Sequence, residues 1–133
     1  MVTCMFCKNT FLPGRNTRAK YCSLSCQGQH TSQQVINDYL SNPIPETFYH
    51  KGNQIRKAIR LYFLDLVGFA CQKCGWNRKH PNAELPSLEI DHKDGDWQNC
   101  VIKNIHVLCP NCHSLTDSYK GRNRGNGRKY RRK

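Results

Sequence analysis

A small α+β protein held together by bound metal is what the sequence predicts, on three observations. At 133 residues the chain is short, and modules of this size rarely bury enough apolar surface to be stable without staples. Eight of its nine cysteines fall into two sets of four. Around these sets, apolar residues recur first at helical spacing and then at the two-residue spacing of strands.

The first set is Cys4, Cys7, Cys22 and Cys26, a CxxC followed after fourteen residues by CSLSC. The second is Cys71, Cys74, Cys109 and Cys112, two CxxC pairs thirty-four residues apart. A short CxxC turn lets two sulfurs reach one ion, and four thiolates fill the tetrahedron of a structural zinc site. Two structural Zn2+ ions are therefore expected. The N-terminal MVTCMFCKNTF lacks the regions of a signal peptide, and no apolar run approaches the roughly 20 residues of a membrane span. The expected setting is the cytoplasm, with no membrane partner, where reduced cysteines favour metal over a disulfide framework. Cys100 stands outside both sets and is expected to be a small buried apolar residue. His30 is a weaker candidate than the complete Cys4 set.

The elements follow in order. Ser23 can cap a helix that runs through Cys26 toward Leu40, and Asn42-Pro43-Ile44-Pro45 ends it. A second helix is expected from near Asn53, with Ile55, Ile59, Tyr62, Phe63 and Leu66 on one apolar face and Gly68 as its stop. Leu88 to His92 reads as a strand, Lys93 to Asn104 as a loop, and Ile105 to Leu108 as a second strand. Pro110 suits the first turn of a helix that starts at Cys109 and carries Cys112, His113 and Asp117. These elements divide the chain into an N-terminal Cys4 finger (1–30), a helix and linker (31–52), a third unit with the second cysteine set (53–119) and a basic flexible tail (120–133).

Charge points to a polyanion. The net charge is +12, and the tail KGRNRGNGRKYRRK holds eight basic residues, Lys120, Arg122, Arg124, Arg128, Lys129, Arg131, Arg132 and Lys133, with no acidic one. Two zinc ions and eight thiolates lower the total only to roughly +8. A basic tail of this kind is the footprint of nucleic acid, and Arg56, Lys57 and Arg60 on the polar side of the second helix are further candidate phosphate contacts. Against this background, Glu84, Glu89, Asp91, Asp94 and Asp96 fall within thirteen positions. That local reversal of charge suggests a cation site.

The segment EIDHKDGDWQNCVIKNIHVLCPNCHSLTDSYKGRN resembles the HNH endonuclease motif, in the zinc-stabilised ββα-metal form of phage and mobile-element nucleases. His92, Asn104 and His113 would supply the letters of the name, and the likeness extends from Cys71 to Asn123. The N-terminal cysteine unit resembles a treble-clef or ribbon-type finger. The resemblance implies a metal-dependent DNA endonuclease that leaves a 5′ phosphate and a 3′ hydroxyl. It implies that Asp91 and His113 hold one divalent ion (Mg2+, Mn2+, Ni2+ or Zn2+), that His92 is the general base, and that Asn104 braces the loop and so orients His92. Asp117, four residues after His113, would share its helix face, either as a further member of the metal shell or as a solvated carboxylate. Lys93 after the Asp-His pair and Ile105 after the motif Asn depart from common forms without removing a reacting group.

A non-enzymatic zinc-dependent DNA-binding protein, and a nuclease active only with partner machinery, are the alternative functions. His50, His80 and His106 have no partner pattern and are expected to be structural or surface residues. Trp97 is either a loop anchor or a base-stacking contact. The oligomeric state is left open by the sequence, with a monomer favoured.

Overall fold

The computed structural model describes residues 1–51 and 53–125. The expected DNA contacts Arg128, Lys129, Arg131, Arg132 and Lys133 lie outside the described residues. Among the described residues, no helix is long and apolar enough to cross a membrane.

A short hairpin, β1 (Val2–Thr3) with β2 (Thr10–Phe11), carries the first CxxC in its turn. The Ser23 side chain then accepts the N–H of Cys26 at 3.1 Å and starts α1, Leu24–Ser41, satisfying a donor that has no partner within the helix. The helix stops before Pro43, with the Asn42 N–H bonded to Asp38 O at 3.0 Å. It runs unbroken past residue 30, so the expected finger and linker share one rigid rod.

Pro45 opens the single turn α2 (Pro45–Phe48), and the chain then forms a second hairpin, β3 (Tyr49–His50) with β4 (Gln54–Ile55). The second long helix, α3, is Lys57–Leu66 and does not begin at Asn53. Asn53 sits at φ 61°, a left-handed conformation suited to a turn rather than a helix. Ile55 consequently pairs with Tyr49 in a strand. Ile59, Phe63 and Leu64 form the buried face of α3, while Leu66, expected there, is exposed. The stop at Gly68 is observed, at φ 68°.

The third hairpin pairs β5 (Glu89–His92) antiparallel with β6 (Ile105–Leu108), in the register Glu89 with Leu108, Ile90 with Val107, Asp91 with His106, and His92 with Ile105. Side chains alternate across a strand. The Ile90, His92, Ile105 and Val107 positions therefore share one face and the Glu89, Asp91 and His106 positions the other. Helix α3 packs on β6, and α1 packs on α3. Tyr39, Phe48, Ile59, Leu64, Leu88, Val107 and Leu108 are the largest fully buried apolar side chains, each contributing about 1.5–3 kcal/mol on removal from water. The short helix α4, Pro110–Ser114, packs against β5 and β6.

Candidate active site

Both cysteine sets assemble. Within each, the four Sγ atoms lie within 4.8 Å of one another. Cys7 and Cys22 are 3.6 Å apart, Cys22 and Cys26 3.4 Å, and Cys74 and Cys109 3.7 Å. Sulfurs at 2.3 Å from one tetrahedral zinc stand about 3.8 Å from each other, whereas a disulfide needs about 2.0 Å. Burial opposes ionisation of Cys4 and Cys71, but backbone N–H groups aimed at each sulfur outweigh it and bring both thiols down to about 6. Contacts with neighbouring thiols push Cys22 and Cys112 up to about 12, as expected where several negative charges crowd together without a shared cation. Both sets could hold structural zinc. Elsewhere, His30 Nδ1 is 2.8 Å from the Tyr21 hydroxyl.

The second set fixes the start of α4. The Cys109 Sγ accepts the Cys112 N–H at 3.4 Å, and Pro110 occupies the first position. Adjacent residues on a helix diverge by about 100°, so Cys112 turns to the sulfur cluster while His113 turns to β5. There the His113 Nδ1 meets Glu89 Oε2, and its Nε2 stands 3.5 Å from Asp91 Oδ1.

The placement of hydrogens on this pair decides its fit to a metal. A carboxylate has no hydrogen to give, so Nδ1–H of His113 donates to Glu89, which leaves Nε2 as the ring atom that can offer a lone pair toward Asp91. Two electron-pair donors then face each other across 3.5 Å. Ligand atoms around a single zinc or magnesium ion stand about 3 to 3.5 Å apart. The donors fit a divalent ion, and a carboxylate holding the far nitrogen is the usual support of a metal-bound histidine.

His92 lies on the opposite face of β5. It is 9% exposed, with the Phe48 ring edge-on at 5.6 Å and the Tyr49 ring stacked at 6.3 Å. The Tyr49 hydroxyl is 3.3 Å from His92 Nε2 and donates to the Trp97 carbonyl at 3.1 Å. Tyr49, Asp91, His92, Trp97 and Asn123 line an open cavity of about 260 Å3. Trp97 packs against Tyr49, with ring centroids 6.0 Å apart. Cys100 is fully buried beside His92, and burial pushes its thiol up to about 12.

Asn104, 8% exposed, braces the Lys93–Asn104 loop. Its amide donates to Asp94 Oδ1 at 2.9 Å and to Asn99 O at 2.8 Å, and its Oδ1 accepts the Asp94 N–H at 3.2 Å. Burial works against ionisation of Asp94, but bonds from Asn99, Asn104 and the Asp96 N–H hold its carboxyl below the usual range. Gly95 completes the turn at φ 73°, and Asn123 Nδ2 donates to its carbonyl at 2.8 Å.

Several expected partners are placed differently. Helix α4 ends at Ser114, and Leu115 caps it through Cys112 and His113 carbonyls. Asp117 therefore lies beyond the helix, exposed, and does not share the helix face of His113 as expected. Arg56 donates to Glu46 O at 3.0 Å and Arg60 to Leu88 O at 2.7 Å. Arg122 donates to the Ser114 and Thr116 carbonyls and lies over the Tyr119 ring. These three guanidinium groups tie elements of the fold together. Lys57, Lys120 and Arg124 are exposed.

Three contacts of the candidate site were not expected from the sequence, although Glu89 belongs to the acidic cluster that suggested a cation site. His106 Nε2 lies 2.7 Å from Asp91 Oδ2, Glu89 holds His113, and Tyr49 stacks on His92. The signal for the first was the pairing of two four-residue strands, which places position 106 opposite 91; for Glu89 it was the acidic cluster around Asp91. Tyr49 carried no local signal.

Over 91 residues, the sequence is 36% identical to the H-N-H endonuclease F-TflIV of Escherichia phage T5. The chain is a homologue of an H-N-H endonuclease. The aligned stretch covers 66% of the chain and 35% of the phage protein, so the chain spans about a third of that relative's length. No protein-family model and no solved structure matches it. Beside this H-N-H relative, the chain has a small α+β fold in which a strand, loop, strand and helix carry Asp91, His92, Asn104 and His113, and two Cys4 groups could hold zinc.

Proposed function

We propose that the chain is a divalent-metal-dependent HNH endonuclease that hydrolyses DNA phosphodiester bonds. The observation that carries this reading is the 3.5 Å confrontation of Asp91 Oδ1 and His113 Nε2, with His92 on the adjacent position of the same strand. Asp91 and His113 would hold the ion, which when bound supplies positive charge to the scissile phosphate and to the departing 3′ oxygen. Carboxylate and imidazole donors suit Mg2+, Mn2+, Ni2+ or Zn2+.

The imidazole of His92 takes a proton from water at the cavity beside Tyr49 and Trp97, since an imidazole changes charge near neutral pH. The resulting hydroxide attacks the phosphorus, the bond from phosphorus to the 3′ oxygen breaks, and that oxygen takes up a proton from solvent. The products are a 5′ phosphate and a 3′ hydroxyl. Asn104 acts at a distance by holding the loop that follows His92.

The nuclease unit of this proposal runs from 53 to 119 but borrows Tyr49 from the preceding segment. The finger of 1–30, the helix and linker of 31–52 and the basic tail of 120–133 would position DNA through phosphate contacts, with Lys57, Lys120 and Arg124 proposed for that role among the described residues. Plasmid DNA incubated with the zinc-loaded protein and Mg2+ or Mn2+ tests the reading. Metal-dependent nicks or breaks are expected, and His92→Ala should bind DNA and zinc but not cut. Undiminished cutting by that variant, or binding by the wild type without any metal-dependent cleavage, overturns it.

A further inference from the structure

We infer that His106 is the positioning residue of the metal-binding carboxylate, and that it acts from the far oxygen of Asp91 without touching the ion. The inference rests on the proposal that Asp91 and His113 share a divalent metal. Asp91 and His106 are direct partners in the antiparallel register of β5 and β6, so their side chains stand on one face within reach of each other. The two oxygens of Asp91 have separate partners: Oδ2 lies 2.7 Å from His106 Nε2, and Oδ1 lies 3.5 Å from His113 Nε2.

A carboxylate accepts only, so the hydrogen in the shorter contact belongs to His106, and Nε2–H donates to Oδ2. A separation of 2.7 Å is that of a strong charge-assisted hydrogen bond. The terminal torsion of an aspartate is broad and nearly two-fold, so an unsupported Asp91 could present either oxygen, or neither, to His113. Donation to Oδ2 removes that freedom and leaves Oδ1 as the metal-facing atom. His106 thus does for Asp91 what Glu89 does for His113. Two ligands from β5 and α4 are each held by one outer partner, and both outer partners stand on the β hairpin. Asp117, beyond the end of α4 and exposed, has no part in this arrangement.

Titration of Mn2+ into the full-length, zinc-loaded protein, followed by electron paramagnetic resonance, tests the assignment. Wild type, His106→Gln, His106→Ala and His113→Ala would be compared, with imidazole nitrogens on the manganese counted by pulsed methods. Removing an outer partner of a metal ligand costs about 10- to 100-fold in affinity, which is the loss expected for His106→Ala. The amide of Gln can donate to Oδ2 in place of the imidazole, so His106→Gln should stay within about threefold of wild type on the same scale. The wild type should show one imidazole nitrogen, lost in His113→Ala and unchanged in both His106 variants. Two imidazoles in the wild type, falling to one in His106→Ala, would make His106 a ligand and overturn the inference. So would an unweakened His106→Ala, or a His106→Gln as weak as the alanine variant. Manganese affinity that His113→Ala leaves unchanged would instead sink the shared-metal proposal and this inference with it.

Discussion

Truncating Asn104 to alanine should loosen the loop from Lys93 to Asn104. The side chain makes three hydrogen bonds, two as donor to Asp94 Oδ1 and Asn99 O and one as acceptor from the Asp94 N–H. A neutral bond contributes about 1 kcal/mol and one to a charged group about 1.5–3 kcal/mol, which sums to roughly 3–5 kcal/mol if nothing compensates. Asp94 is exposed and regains water once its partner is gone, so a loss of about 2–3 kcal/mol is expected. For a chain of this size that lowers Tm by about 10 °C. Because Asp94 is held below its ordinary value, its bonds stabilise the fold above the usual carboxylate range and lose that effect as pH falls through the depressed value. The difference in Tm between wild type and Asn104→Ala should therefore shrink in acid. Thermal melts at neutral and acid pH, hydrogen exchange over 93–104 and cleavage rates are the assays. A variant that cuts within about twofold of wild type, corresponding to under about 0.5 kcal/mol in the barrier, with unchanged loop protection, would refute the bracing role.

Two further outcomes are expected. Gly95→Ala places a Cβ 2.4 Å from Asn123 Oδ1 and 2.7 Å from Ser118 Cβ at a φ of 73°; overpacking and left-handed strain together should cost about 2–4 kcal/mol, and a Tm within about 2 °C of wild type would contradict it. For the zinc sites, Cys4 and Cys71 have thiols lowered from 9.0 to about 6, so the stability carried by their thiolates is complete above about pH 9 and is lost as pH falls through about 6. Bound zinc moves the loss to lower pH, so chelator-monitored release should have its midpoint at or below about pH 6 and be accompanied by unfolding. A fold that survives complete zinc removal would refute the stapling role.

Local chemistry made much of this protein legible in one dimension. Two CxxC-led sets announce two ions because a four-residue turn suffices to aim two sulfurs together, and all eight cysteines do converge. Ser23, Pro43 and Pro110 mark helix ends through their own side chains or missing donors, so those boundaries needed no neighbours. The alternation through Glu89–His92 separated Asp91 from His92 onto opposite faces for the same reason. Other features depended on groups distant in sequence. Only the pairing register of β5 with β6 set His106 against Asp91, and only packing of the β3 segment brought Tyr49 onto His92, 43 positions away. The early end of α4 left Asp117 outside the helix, while Arg56 and Arg60 donate to protein carbonyls rather than simply facing solvent. Caps and turns are decided within a few residues of chain, whereas register and packing are decided by which surfaces exclude water together, and that sum is taken over the whole fold.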